Sequence, residues 1–525
     1  MAFLEHPVHS REPGAVRPRR LRRCAAVVAL NLATAAVWAG GSPDPIEGKW
    51  YGKAGFPQDR IDLGLEFRRN AKGELKAYLY EPVLNFYGLE LPGVVVRNGE
   101  TYTNKDYAIT LRLRGDTLDG TYMPLDAPAE LRRTQILPAE TPIPDLPTGP
   151  GPRWTAKLGG SIYAPAAVRD GVAYLGSTTG LLYAVRISDG SFAWVFVAGR
   201  AIHGEAIATD DNLYFVCDNG YLFKLDRRTG KEVWRYDLGD ERVPRPLPHQ
   251  VLDKIGVGEF DFDAYAPRPV LDGGVVYVGA GDGSFHAIEA EAGKRIWRFE
   301  NRSSTKAEGT PWDTLASSKN RTTAVLDHDR VIFGSFDHHV YALDRRTGKL
   351  LWTKDTRAEV TSSPVVIGGR LIIGNRGGLL AALDPATGSV VWRATLWGSS
   401  VESTPIPAAE GLFLIGSSDL RRTSLIDSKD GRVVWRTDVY GVAWARPAAS
   451  EKFVYQCAFG FLPYDIRHRG GVVAMDRATG AVAWRWPSPD CDRALITGFV
   501  AAPVLADHTL LVGGLDGNLY GFAAE

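Results

Sequence analysis

Methionine is scarce, with 3 in 525 residues, and long apolar helical stretches are few, so the sequence leans toward β structure. Neither sign of charge is in excess: 61 Lys+Arg face 61 Asp+Glu, which gives no support to nucleic-acid binding or a polybasic membrane-surface role. Cysteine is sparse as well, with four residues: Cys24, Cys217, Cys457 and Cys491. No two are adjacent and none opens a Cys-x-x-Cys-His motif, so covalent haem is excluded. There is no Ser-His-Asp order, nucleophile elbow or phosphate loop. What is plentiful is core material. At 45% hydrophobic and 10% aromatic residues, disorder of the whole chain is excluded.

Five arginines between Arg17 and Arg23 precede an apolar run from Ala25 to Ala39. A basic segment, a run of about 15 apolar residues and the small pair Val37/Ala39 read as an export signal over residues 1–39. The alternative is an uncleaved N-terminal anchor. Cys24 lies before the run, where a lipoprotein cysteine would follow it. A periplasmic location is therefore expected.

Residues 46–136 alternate apolar and polar side chains in Leu63 to Phe67, Leu75 to Tyr80 and Ile109 to Leu113. Hairpin turns at Asn70–Gly73, Asn98-Gly99 and Asp119-Gly120 separate them. A small antiparallel barrel or sandwich, of lipocalin-like half-barrel shape, is expected. Residues 137–152 hold six prolines and read as a stiff linker.

After the linker the sequence repeats. Trp194, Trp234, Trp297, Trp352, Trp392, Trp435 and Trp484 each close a unit of four short apolar strands, with a period near 40. The last unit stops after three strands, and the spare Trp154 would supply its fourth. Eight tryptophans thus predict an all-β, eight-bladed propeller over residues 153–525, closed by pairing its two ends. Each Trp follows a hairpin turn such as Asp344…Gly348, and burying it is worth roughly 4–6 kcal/mol gross.

Ala184/Gly190/Trp194, Ala287/Gly293/Trp297, Ala342/Gly348/Trp352, Ala382/Gly388/Trp392 and Ala474/Gly480/Trp484 share one spacing, with Lys224 and Leu425 departing at the first position. The pattern resembles the tryptophan-docking motif of the quinoprotein alcohol dehydrogenase-like superfamily of PQQ-like repeats. That resemblance implies one of two functions. One is PQQ- and calcium-dependent oxidation of alcohols or sugars. The other is a cofactor-free periplasmic propeller, such as the lipoprotein of the outer-membrane β-barrel assembly machinery. The adjacent-cysteine disulfide of many such dehydrogenases is absent, and no calcium-ligand or catalytic-Asp set can be matched, so no catalytic residue is assigned.

Three insertions, 239–264, 300–320 and 458–470, fall on one face of such a propeller and read as a partner surface. Residues one and three before a recurring Pro or Ala at each unit's start should line the central channel. They include His203, Glu205, Arg268, Arg321, Glu402, Trp444 and Arg446. Three arginines and a tryptophan would suit a planar polyanion such as a quinone tricarboxylate. The blander reading is a hydrated funnel in which Glu205 and Glu402 pair with those arginines. Glu259, Asp261 and Asp263 could hold Ca²⁺ but read better as an acidic strand face. His338-His339 has no spaced partner for zinc, and no metal site is assigned. A disulfide between Cys457 and Cys491 is expected, with Cys217 a buried small hydrophobe. The leading function is a monomeric, non-catalytic binding or assembly scaffold with protein partners or a small anionic ligand; the alternatives are the dehydrogenase, or a ligand-binding N-terminal β domain.

Overall fold

The computed structural model describes residues 43–524, apart from 58–59, 85, 123–125, 141–143, 240–265, 302–319, 396–399, 462–468 and 490–495. The expected signal, the acidic run from Glu259 to Asp263, Cys491 and most of the three insertions lie outside the described residues. Within them all regular structure is β except one 3₁₀ turn, Pro82–Leu84. No helix among the described residues is long and apolar enough to cross a membrane.

Nine strands form the first sheet: β1 (Gly48–Ala54), β2 (Ile61–Arg69), β3 (Leu75–Glu81), β4 (Phe86–Glu90), β5 (Val96–Asn98), β6 (Thr101–Asn104), β7 (Ile109–Arg114), β8 (Thr117–Tyr122) and β9 (Ala127–Thr134). Sequence neighbours pair except β4 and β5, and β1 also pairs with β9, so the sheet curls nearly into a barrel with β4 and β5 as its edges. Alternate residues such as Trp50, Leu63, Leu65, Leu111 and Leu131 fill its concave side. One carboxylate is buried there: Glu81 accepts a hydrogen bond from Tyr122 Oη at 3.0 Å, and its other oxygen has no partner among the described residues. Just beyond it, Leu84 leaves this core and packs among Ile367, Ile372, Trp392 and Phe413 of the propeller.

Eight units built on four strands follow: blades 1 to 7 at 167–197, 207–237, 270–300, 325–355, 365–395, 406–438 and 448–487, the last with a fifth strand, Ile496–Gly498, on Phe453–Phe461, and blade 8 at 504–523. The fourth strand of blade 8 is β10 (Trp154–Lys157), paired antiparallel with Asn518–Ala523, so the ring is shut as the sequence implied. The docking motif has a steric basis. Gly230, Gly293, Gly348, Gly388, Gly431 and Gly480 sit at positive φ, each with the preceding blade's Trp ring where a Cβ would fall. Indole nitrogens then donate to turn carbonyls, as Trp297 does to Arg345 at 3.0 Å and Trp392 to Ser428 at 2.8 Å.

Trp484 has no such turn to meet, because the third and fourth strands of blade 8 come from opposite ends of the repeat region. The proline-rich segment supplies the substitute. Gly149 lies against the Trp484 ring, its N–H donates to Arg485 O at 2.9 Å, and Arg485 N–H donates to Pro147 O at 2.8 Å. This stretch of the expected linker is therefore a parallel edge partner of blade 7 as well as a connection.

Candidate functional site

The residues one and three before the recurring Pro or Ala at each blade's start face the channel, as Arg446 and Trp444 do, and the residue between them turns into the blades. Ser362 Oγ donates to Ser403 O at 2.8 Å and Ser403 Oγ to Ala445 O at 3.0 Å, lacing blades 5, 6 and 7. A second lacing joins blades 3 to 6: the N–H groups of Arg268, Thr323 and Ser363 donate to the hydroxyls of Thr323, Ser363 and Thr404 at 3.1, 2.9 and 3.3 Å. The two lacings tie blades 3 to 7 together along the channel wall.

On that wall the expected set converges. His203, Arg321, Glu402, Trp444 and Arg446 line one cavity of about 140 Å³ with Tyr163, Thr361 and the laced hydroxyls. Glu205 and Arg268 complete it by charge: Glu205 accepts from Arg446 at 2.7 Å and lies 3.7 Å from Arg268. Arg446 is in blade 7 and Glu205 in blade 2, three blades apart, so this pair spans the channel. Burial alone would lower the Arg446 pKa, but the adjacent Glu205 carboxylate outweighs it and raises the value. Glu402 is held by Arg376 at 3.1 Å, His203 Nδ1 lies 2.9 Å from Asp218, and Trp444 Nε1 donates to Ser418 at 2.9 Å.

Arg376, Asp218 and Ser418 were missed by sequence reasoning although each lies two residues after the end of a second strand, because only the residues before the first strands were read as channel-facing. Thr323, Ser363 and Thr404 could have been found, since they occupy the same register position as Glu205 and Arg268. Cys457 is fully buried on the strand Phe453–Phe461, and its expected partner Cys491 is outside the described residues. Cys217 is buried in a blade core, and burial pushes its thiol up to about 11. His339 Nδ1 lies 2.7 Å from Asp337 O, and no three His, Cys, Asp or Glu converge as metal ligands among the described residues. Asp282, Ser284 and His286 do touch, but Ser284 is fully buried, burial lowers His286 to about 4, and Asp282 is paired with Arg298 at 3.1 Å, so the group is tied up within the blade.

The arrangement can hold water and a small polar solute. It does not fit a tricyclic quinone tricarboxylate as it stands. Ligand pockets start near 300 Å³, about twice this cavity, and the Arg446 and Arg268 guanidiniums are already matched to Glu205.

The sequence profile described as outer membrane protein assembly factor BamB matches residues 145–253, 198–335 and 336–525. The chain belongs to the BamB family. It is 25% identical to the BamB of Burkholderia pseudomallei over 60% of this chain and 83% of that protein. For the BamB of Yersinia pestis the figures are 26%, 44% and 58%, so that match spans less than two thirds of the relative. Quinohemoprotein alcohol dehydrogenase ADH IIB of Pseudomonas putida is also similar, 32% identical over 24% of this chain and 19% of its own. Among solved structures, the designed Ika8 protein superposes with TM-score 0.53 at 14% identity, covering 71% of this chain and all of that one. Quinohemoprotein alcohol dehydrogenase from Comamonas testosteroni gives 0.50 at 15%, covering 71% and 76%. At those identities the structural likenesses speak to the propeller fold alone.

Proposed function

We propose that this BamB-family chain is an exported, non-catalytic scaffold for outer-membrane protein assembly, working as a monomer in the periplasm. Its polypeptide partners dock on the face that carries the blade connections. One observation carries the reading: Arg446 and Arg268 of the channel are matched to Glu205, which ties blade 2 to blade 7 across a cavity of about 140 Å³. A site organised for redox turnover would instead leave its cationic groups convergent on an open ligand space.

The test is photo-crosslinking from exposed positions on that face, Thr179, Arg200 and Arg357. In the native envelope these should capture components of the outer-membrane assembly machinery. In parallel, the purified chain should show no quinone absorbance change with PQQ plus Ca²⁺ at tens of micromolar. Stoichiometric PQQ binding with dye reduction would overturn the scaffold reading in favour of the dehydrogenase, as would crosslinks confined to unrelated proteins.

A further inference from the structure

An arginine after the turn Asp recurs at three blade interfaces, and it is set the same way each time. Arg227 donates to Asp210 O of its own blade and to Asp170 of the preceding one. Arg345 donates to His328 O and to Asp272. Arg477 donates to Ser450 O at 2.8 Å and to Ala408 O. In the first two cases the preceding blade sends a tyrosine under that arginine. Tyr174 Oη accepts from Arg227 at 3.1 Å, and Tyr277 Oη donates to Arg345 O at 3.3 Å with the Arg345 guanidinium 5.7 Å from its ring centre. Both tyrosines are buried, stand opposite an alanine across the strands (Ala184, Ala287), and lie about one ring's contact distance from the docking Trp, 5.8 and 6.0 Å centre to centre.

Blade 6 breaks the pairing. Leu414 stands where the tyrosine would be and Leu425 where the alanine would be, while Arg477 and the docking Trp435 keep their places. A groove of about 460 Å³ opens there. Leu412, Leu414, Leu425 and Val434 of blade 6 form one side, and Lys452, Arg477 and Ala478 of blade 7 belong to the other. Two leucines fill the base of the phenol's path, and the length toward blade 7 stays open.

We propose that the blade 6–blade 7 groove binds a tyrosyl side chain of a partner polypeptide, seated over the leucines that replace the tyrosine and alanine of blades 1 and 3 and against the same turn arginine. The ring would lie on Leu414 and Leu425 and beneath Arg477, with its hydroxyl on the Arg477 carbonyl, which now accepts from Trp435 Nε1 at 3.2 Å. The protein thus carries two internal examples of the contact. The proposal rests on the scaffold reading for its source of tyrosine, and it concerns the face opposite the channel-mouth connections, where the 1–2 and 3–4 turns lie.

The experiment is saturation-transfer NMR on the purified full chain with N-acetyl-L-tyrosinamide, and with N-acetyl-L-leucinamide as the control. Tyrosinamide should bind with a dissociation constant on the order of 1 mM and leucinamide about tenfold more weakly. The pair Leu414→Tyr with Leu425→Ala restores the sister-blade arrangement and should abolish binding with an unchanged or higher melting temperature. Val434→Glu, at the lip where that valine is 41% exposed, should abolish it without touching the core. Equal binding of the two amides, no tyrosinamide signal at about 10 mM, or undiminished binding in Val434→Glu overturns the proposal. Envelope crosslinks at Arg200 serve to separate the two ideas. If they form while tyrosinamide fails to bind, only the groove is refuted; if tyrosinamide binds and they do not form, the scaffold reading fails and the groove stands.

Discussion

Glu81 sits 1% exposed with Tyr122 and Tyr107 as ionisable groups acting on one another around it and no cation contributing among the described residues, and burial pushes its carboxyl up to about 8. An unfolded Glu81 would lose its proton near 4.5, whereas the folded one keeps it to about 8. Folded chains therefore hold more protons across that window, and stability falls as pH rises through it, with the loss complete above about 8. Glu81→Gln should flatten the fall, which amounts to a few kcal/mol, and melting curves at either end of the window check this. An equally steep profile in the variant would place the titration elsewhere. Tryptophan is the other informative residue. Trp297 is 8% exposed, and Trp297→Ala should cost about 3–5 kcal/mol by denaturant titration. Gly348→Ala should cost a comparable amount, because its Cβ would fall 2.7 Å from that ring at a φ of +71°.

Blades were legible in the sequence because one register repeats: Ala, Gly and Trp keep fixed offsets wherever a ring must dock on a turn. The channel set was legible for the same reason. What was hidden depends on breaks in the repeat. Gly149 reads as one more residue of a proline-rich linker, yet it replaces the turn glycine that blade 8 lacks, since Trp484 would otherwise face no turn. Gly149→Val would drive a Cβ to within 2.2 Å of the indole. The segment should then leave the blade edge, and the amides of Gly149 and Arg485 should lose protection in hydrogen exchange while the remaining blades keep theirs. Unchanged protection at both amides would mean that the prolines alone hold the segment in place. Leu414 is hidden in the same way: a leucine in a buried strand reads as core until the sister tyrosines and arginines are compared in space.

Closure is a property of the whole molecule, since four residues of β10 occupy an edge that blade 8 would otherwise expose. Deleting 154–157 should leave seven complete blades and one open one, with a lowered melting temperature and concentration-dependent association by light scattering. A monomer of unaltered stability would show that closure contributes little. The pair that shuts the ring has a further consequence in time. Its two strands lie more than 360 residues apart, so the first must wait through synthesis of everything between before its partner strand exists. A chain cut short anywhere in that interval carries an unzipped seam, and the protease that finds it is in effect proofreading length.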